Sequence, residues 1–178
     1  RIERVVSSAD QLGETPLWCE RERKLWWLDI EKPKLQSFDP TSGRHTVQAF
    51  ETPWLGSQAL GDDGSQLLAL NLSLLRRAPG TDALVPLATV EQGLDNRLND
   101  GRVDARGRLW IGTMDTQLHR PQGALYRVDP DGVVQRILGD VIVSNGICFS
   151  PDGTTMFVNI YWPGVTLAVT GPWASIKA

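Results

Sequence analysis

Four oxygen-bearing side chains recur at matching places along the chain. Glu14, Ser57, Asn99 and Asn145 each stand 10 or 11 residues ahead of an apolar residue that follows a polar turn, namely Leu25, Leu67, Leu109 and Met156. A carboxylate, two amides and a hydroxyl brought to one place form an all-oxygen donor set. Such a set suits a hard cation, Ca²⁺, Mg²⁺ or Mn²⁺, and also admits Zn²⁺. The same residues have a plainer reading as turn formers. Asn99-Asp100-Gly101 and Asn145-Gly146 favour tight turns, and Glu14-Thr15-Pro16 fits a loop before a strand. Recurrence at one offset is the argument for a shared site. Arg97, two residues ahead of Asn99, offers a planar fork to a polyol or carboxylate; taken alone it reads equally as a solvated surface residue.

The elements that must position these residues repeat as well. Each unit has an apolar strand, a polar turn and a second apolar strand. The strand pairs are Pro16–Cys19 with Leu25–Leu28, Gln58–Leu60 with Gln66–Leu70, Arg102–Asp104 with Leu109–Gly112, and Ile147–Ser150 with Met156–Val158. The four apolar markers are separated by 42, 42 and 47 residues, the period of a four-stranded propeller blade. In the first and third units a third strand follows, Leu35–Phe38 and Ala124–Val128, and then an outer strand, 46–50 and 133–138. A β-sandwich also has short strands and regular turns, but it does not produce this recurrence. The sequence therefore predicts an all-β protein, a β-propeller, whose inner strands place the loops before them at the mouth of a central channel.

Composition narrows the function. The 178 residues carry a net charge of -3, with 41% hydrophobic and 22% charged residues, ordinary values for a soluble globular protein. No basic stripe is available for nucleic acid or an anionic membrane surface, and no long apolar run suggests a span. Cys19 and Cys148 lie outside any paired motif and read as two buried thiols of a reducing, cytoplasmic protein. The chain starts at Arg1 without an initiator Met or a signal-peptide core, which reads as a processed chain or a fragment.

Several motifs resemble those of the gluconolactonase / senescence marker protein (regucalcin)-like family, which includes bacterial sugar lactonases. They are Gly13-Glu14-Thr15-Pro16-Leu17-Trp18, Arg97-Leu98-Asn99-Asp100-Gly101, Leu109-Trp110-Ile111-Gly112-Thr113-Met114, Gly123-Ala124-Leu125-Tyr126-Arg127, Ser144-Asn145-Gly146 and Ser150-Pro151-Asp152-Gly153. They run in family order over about residues 3–158. The resemblance implies a propeller with six blades in the family and about four or fewer here. It implies metal-dependent hydrolysis of sugar lactones to aldonic acids, with one divalent ion (Ca, Zn, Mn or Mg). Glu14 and Asn145 would be metal ligands, with Asn99 near the metal. Arg97 and Asn99 would hold the hydroxyls and ring oxygens of a sugar lactone, with Asp100 a further contact.

Hydrolysis of a cyclic ester needs carbonyl polarisation, an activated water and a proton for the leaving hydroxyl. No G-x-S-x-G elbow or H-E-x-x-H motif is present, and His45 and His119 are far apart in sequence. Metal-assisted hydrolysis remains. In the family an aspartate of a later blade, within an Asp-Gly motif, completes the metal site and serves as general base; no aspartate here matches it. The resemblance ends at Val158, which divides the chain into a partial propeller (1–158) and a divergent tail (159–178). The tail reads as the aberrant end of a truncated reading frame. The alternative is closure as a four-bladed ring with 166–170 as a pairing strand. Incomplete closure leaves sheet edges through which copies of the chain can self-associate. Two functions stay open: a metal-dependent sugar lactonase impaired by truncation, and a non-catalytic propeller fragment that binds a metal or a partner.

Overall fold

The computed structural model describes residues 2–162 and, as backbone, 165–172, with side chains over 2–161. Four antiparallel sheets follow one another along the chain as blades of a β-propeller. Blade 1 comprises β1 (Gly13–Cys19), β2 (Lys24–Asp29), β3 (Lys34–Asp39) and β4 (Arg44–Ala49). Blade 2 comprises β5 (Leu55–Leu60), β6 (Gln66–Leu70), β7 (Ser73–Arg77) and β8 (Leu84–Thr89). Blade 3 comprises β9 (Asn96–Val103), β10 (Leu109–Asp115), β11 (Gly123–Val128) and β12 (Val134–Val141). Blade 4 comprises β13 (Val143–Phe149), β14 (Thr155–Trp162) and β15 (Val165–Pro172). Each blade is an up-and-down meander in chain order. The first strands are neighbours, β5 packing on β1 and on β9, and β9 on β13, which identifies them as the inner ring.

The alternation of each strand feeds two cores at once. In β10, Leu109 and Ile111 pack toward blade 2 with Ala69, Leu74 and Leu98, whereas Trp110 packs toward blade 4 with Ile147, Met156 and Ile160. A third core joins blades 1 and 2 through Leu28, Leu35, Leu55 and Leu68. Because every residue of β10 is buried, its sequence is a continuous run rather than an alternation of apolar and polar residues.

The expected hairpins form, with the turn glycines Gly107 and Gly153 at φ of 76° and 66°, where other residues are strained. Blade 2 has the third and outer strands that the sequence pattern left unmarked. Pro86 interrupts the pattern of β8, and it is tolerated there because β8 is the outermost strand of its sheet. β14 runs through residue 158 to Trp162, and β15 pairs with it over its whole length, so 166–170 form a pairing strand inside blade 4. Arg1, Pro163-Gly164 and the tail from Trp173 lie outside the described residues. His45 lies at the start of β4, just after a turn, its ring stacked on Trp27 at 5.3 Å. One expectation changes. Cys148 is exposed and Cys19 half-buried, both free, so neither is a core thiol. Among the described residues no helix is long and apolar enough to cross a membrane.

A buried acid ties the far end of blade 3. Asp104 accepts the backbone N–H groups of Arg106 and Arg108 (2.9 and 3.1 Å), Arg108 Nε (2.7 Å) and Trp110 Nε1 (3.0 Å). Desolvation raises its carboxyl, but the hydrogen bonds from Arg108, Trp110 and the turn outweigh it, leaving a net lowering from 3.8. A lowered native value contributes stability that is complete above pH ~4 and lost as pH falls through the native value. Asp104→Ala is expected to cost about 2 kcal/mol. Asp104→Asn is expected to flatten the loss of stability below pH ~4. Urea unfolding from pH 7 to pH 3 checks both; an Asn variant as acid-sensitive as the parent contradicts the assignment.

Candidate functional site at the inner-strand mouth

Every inner strand is irregular at the same end. Opposite a single residue of the second strand, β1 has two residues between Glu14 and Leu17, β9 has Asn99 and Asp100, and β13 has Gly146 and Ile147. In β5 one extra residue, Gly56, separates Leu55 from Ser57. These are β-bulges, which leave backbone groups outside the ladder. Such groups must find other partners when buried, and side chains of the adjacent blade supply them. Gln58 Nε2 donates to Thr15 O (3.0 Å), and Asp100 Oδ2 accepts Ile147 N–H (2.8 Å). Asn99, itself inside a bulge, donates from Nδ2 to Ser144 O (3.0 Å), two residues ahead of the β13 bulge.

The bulges refine the shared offset. Glu14 pairs with Leu28 and Asn145 with Asn159, so both stand at one register position, immediately before the bulge. Asn99 is the first residue inside its bulge, and Ser57 follows its own. All four therefore lie within strands rather than in the loops ahead of them, because each inner strand begins earlier than its apolar pattern indicates.

Arg97 and Asn99 are joined directly. Arg97 is 8% exposed, and its Nη1 donates to Asn99 Oδ1 (2.9 Å) and Leu98 O (3.1 Å). With Asn99 Nδ2 on Ser144 O, these bonds form one polar line from Arg97 to the residue preceding Asn145. Burial lowers the Arg97 guanidinium from its ordinary value, opposed by the Glu31 and Glu14 carboxylates, which places both acids within electrostatic reach. Glu14 itself is exposed, and its carboxylate has no hydrogen bond or ion pair among the described residues. Asn145 is exposed too, its Oδ1 accepting the next residue's N–H (2.8 Å). Asp100 has one oxygen occupied by the Ile147 N–H. Ser57 and Ser144 are buried, and neither hydroxyl has a partner among the described residues.

The rim is held by two acids. Glu91 accepts from Asn96 Nδ2, Thr113 Oγ1 (3.1 Å) and Tyr126 OH (2.7 Å), fixing the start of β9 against β10 and β11. Asp115, fully buried, accepts from Arg120 Nη2 (2.6 Å) and from the N–H groups of His119 and Arg120 (both 2.9 Å). The Arg120 hydrogen bond, opposed by desolvation and aided by these N–H groups, holds its carboxyl far below the usual range.

For a hard cation the donor set fits in kind. Glu14 and Asn145 present exposed oxygens at equivalent positions, and Asn99 Oδ1 keeps a lone pair beside the bond from Arg97. Among the described residues no three His, Cys, Asp or Glu cluster, so a cation here depends on amide oxygens. Trp54 and Glu31 stand beside these residues but escaped the sequence reading, which marked Ser144 only as part of a motif and not for its carbonyl. Trp54 precedes its strand, Glu31 follows one, and Ser144 acts through its carbonyl, so no side-chain spacing marks them.

The SMP-30/Gluconolactonase/LRE-like region matches residues 12–162. A 6-deoxy-6-sulfogluconolactonase of Pseudomonas putida is 39% identical over 150 residues, 83% of this chain and 51% of that protein. Regucalcin of Xenopus laevis is 34% identical over 163 residues, 88% of this chain and 54% of that protein. A solved structure described as a calcium-binding protein, regucalcin, from Agrobacterium tumefaciens superposes with a TM-score of 0.81 at 35% identity, covering 86% of this chain and 52% of its own. The chain thus spans about half the length of the curated relatives it matches.

The close approach of β5 to β9 is directly testable. A Cβ on Gly56 would lie 2.1 Å from Leu98 O and 3.4 Å from Asn99 N, both backbone atoms that cannot turn aside. Gly56→Ala is expected to destabilise the fold by about 1–3 kcal/mol. It should also shift the Arg97 and Asn99 amide resonances. An unchanged thermal midpoint with unchanged resonances contradicts this packing.

Proposed function

Because the chain belongs to the SMP-30/gluconolactonase/LRE-like family, we propose that it carries the metal- and substrate-binding half of a sugar lactone hydrolase. The observation that carries the reading is the polar line Arg97–Asn99–Ser144, which reaches from the electrostatic range of Glu14 to the strand of Asn145. Relatives named as a 6-deoxy-6-sulfogluconolactonase, a pentonolactonase and an L-arabinolactonase support it. The lactone of this chain belongs to the same broad class of hydroxylated cyclic esters.

Glu14 and Asn145, with Asn99, would hold one divalent ion. When bound, such an ion supplies Lewis-acid polarisation of the lactone carbonyl and lowers the pKa of water. Arg97 binds and orients: its Nη1 is fixed on Asn99 and Leu98, while Nε and Nη2 have no protein partner among the described residues and face ligand oxygens. Asp100 offers its remaining oxygen to a hydroxyl. Glu14 and Glu31 balance the guanidinium, which would otherwise repel a neighbouring cation. No aspartate here matches the family's general base, so turnover by these 178 residues is slow. A second reading, cation binding without turnover, draws on the relative described as a calcium-binding protein.

Thermal unfolding with Mn²⁺, Zn²⁺ or Ca²⁺ tests the assignment. At a hundredfold excess over the dissociation constant, binding is expected to stabilise by about 2.7 kcal/mol. Glu14→Ala and Asn145→Ala should abolish the shift, and Asn99→Ala should weaken it. Gluconolactone hydrolysis is followed in the same samples, with slow turnover expected. A metal shift indifferent to both Glu14→Ala and Asn145→Ala would remove the basis of the proposal. Rapid turnover lost in Glu14→Ala would keep the site and reject only the slow-turnover expectation.

A further inference from the structure

Trp54 lies between blades 1 and 2, immediately ahead of β5, and the centre of its ring is 5.4 Å from Arg97 Cζ. Stacking of this kind on a surface is often incidental, but here both partners are fixed by backbone. Trp54 O accepts the N–H of Asn71 (3.0 Å), and Asn71 O accepts the N–H of Leu98 (2.8 Å), the residue after Arg97. Asn71 itself occupies the left-handed turn between β6 and β7, at φ 54°. Three segments distant in sequence are thus tied into one line ending beside the guanidinium. On the other side Gly56, two residues after Trp54, touches the same Leu98 carbonyl that Arg97 Nη1 uses.

A guanidinium is planar, so two constraints fix it: what holds one edge, and what covers one face. Leu98 O and Asn99 Oδ1 hold Nη1, and Cζ stands over the Trp54 ring, 5.4 Å from its centre. What remains is the Nε–Nη2 edge, without a protein partner among the described residues. We propose that Trp54 is a positioning residue: its ring sets the plane of Arg97 so that the Nε–Nη2 edge meets a pair of oxygens on a sugar acid or its lactone. This rests on the mouth being a sugar-lactone site, and Trp54 acts there through Arg97 without itself reaching the ligand. Removing the ring leaves Nη1 anchored but lets the plane turn, so affinity falls while the charge stays.

Two measurements test this on the intact chain. The first needs no ligand: the Arg97 Nε–Hε resonance, assigned by its loss in Arg97→Lys, with its relaxation. A stacked guanidinium is shifted upfield by the indole ring and rigid. Trp54→Leu, which keeps apolar bulk, should remove the upfield shift and raise the mobility of Nε, and Trp54→Phe should restore much of both. An Arg97 Nε unaltered in shift and mobility by Trp54→Leu overturns the proposal. The second is calorimetric titration with D-gluconate in the presence of Mn²⁺. Trp54→Leu is expected to weaken binding about five- to tenfold, yet to change nothing further in an Arg97→Met background. Equal weakening in both backgrounds overturns the positioning role, because Trp54 would then contact the ligand itself. If the parent chain binds no gluconate, the sugar-lactone reading fails, the ligand-facing part of the proposal falls with it, and the Arg97 resonance alone decides whether Trp54 seats the guanidinium.

Discussion

A bulged strand cannot satisfy its own backbone, and in this protein the neighbouring blade does it instead. The extra residues in β1 and β13 put Thr15 O and Ile147 N–H within reach of Gln58 and Asp100, and the bulge of β9 brings Asn99 to Ser144 O. A buried amide or carbonyl left unpaired costs about 1–3 kcal/mol, so each bond fixes one inner strand against the next. The inner ring is therefore closely set, with Gly56 of β5 against Leu98 O, and the second strand β10 approaches it as closely, Gly112 against Ser144. The three interblade cores bring the blades together, and the bulge bonds decide the depth at which each inner strand sits.

The same arrangement explains why a site can form at this end. A bulge twists its strand and re-aims the side chains next to it. Glu14 and Asn145 stand at the residue before their bulges, and Asn99 stands within its own. Asn99 has two roles through its two ends: its nitrogen holds Ser144 O, and its oxygen receives Arg97. A carboxylate in its place would lack the donor for Ser144. A buried Arg97 needs compensating charge, and Glu14 and Glu31 supply it from blade 1. Blades 1, 3 and 4 are coupled at the mouth by charge and hydrogen bonds, and blade 2 adds the Gln58 bond to Thr15 O, the Trp54 ring beside Arg97 and backbone proximity through Gly56 and Asn71.

Much of the architecture was legible because it is periodic. The 42-residue spacing, the turn glycines and the two-faced strands each follow from local rules that neighbouring units repeat. Arg97, Asn99 and the Ser144-Asn145 strand were found from spacing and family motifs, and the structure joins them. Three things were not legible. Bulges shift register by one residue without altering composition, so Glu14 and Asn145 match in register while Ser57 does not. The outer strands of blade 2 lack a clear pattern because an edge strand accepts Pro86 and exposed Val85. Trp54 reads in the sequence as one more aromatic near a strand; its meaning depends on Leu98 and Asn71, which are brought to it only by folding.

In the proposed site, oxygens from blades 1, 3 and 4 would converge on one cation at the inner-strand mouth. Anomalous diffraction from crystals of the chain grown with Mn²⁺ shows whether they do. A single strong peak is expected within about 2.0–2.6 Å of oxygens from Glu14 and Asn145, with Asn99 lining the same space. A fully occupied peak elsewhere, or none at the mouth at millimolar Mn²⁺, would contradict it.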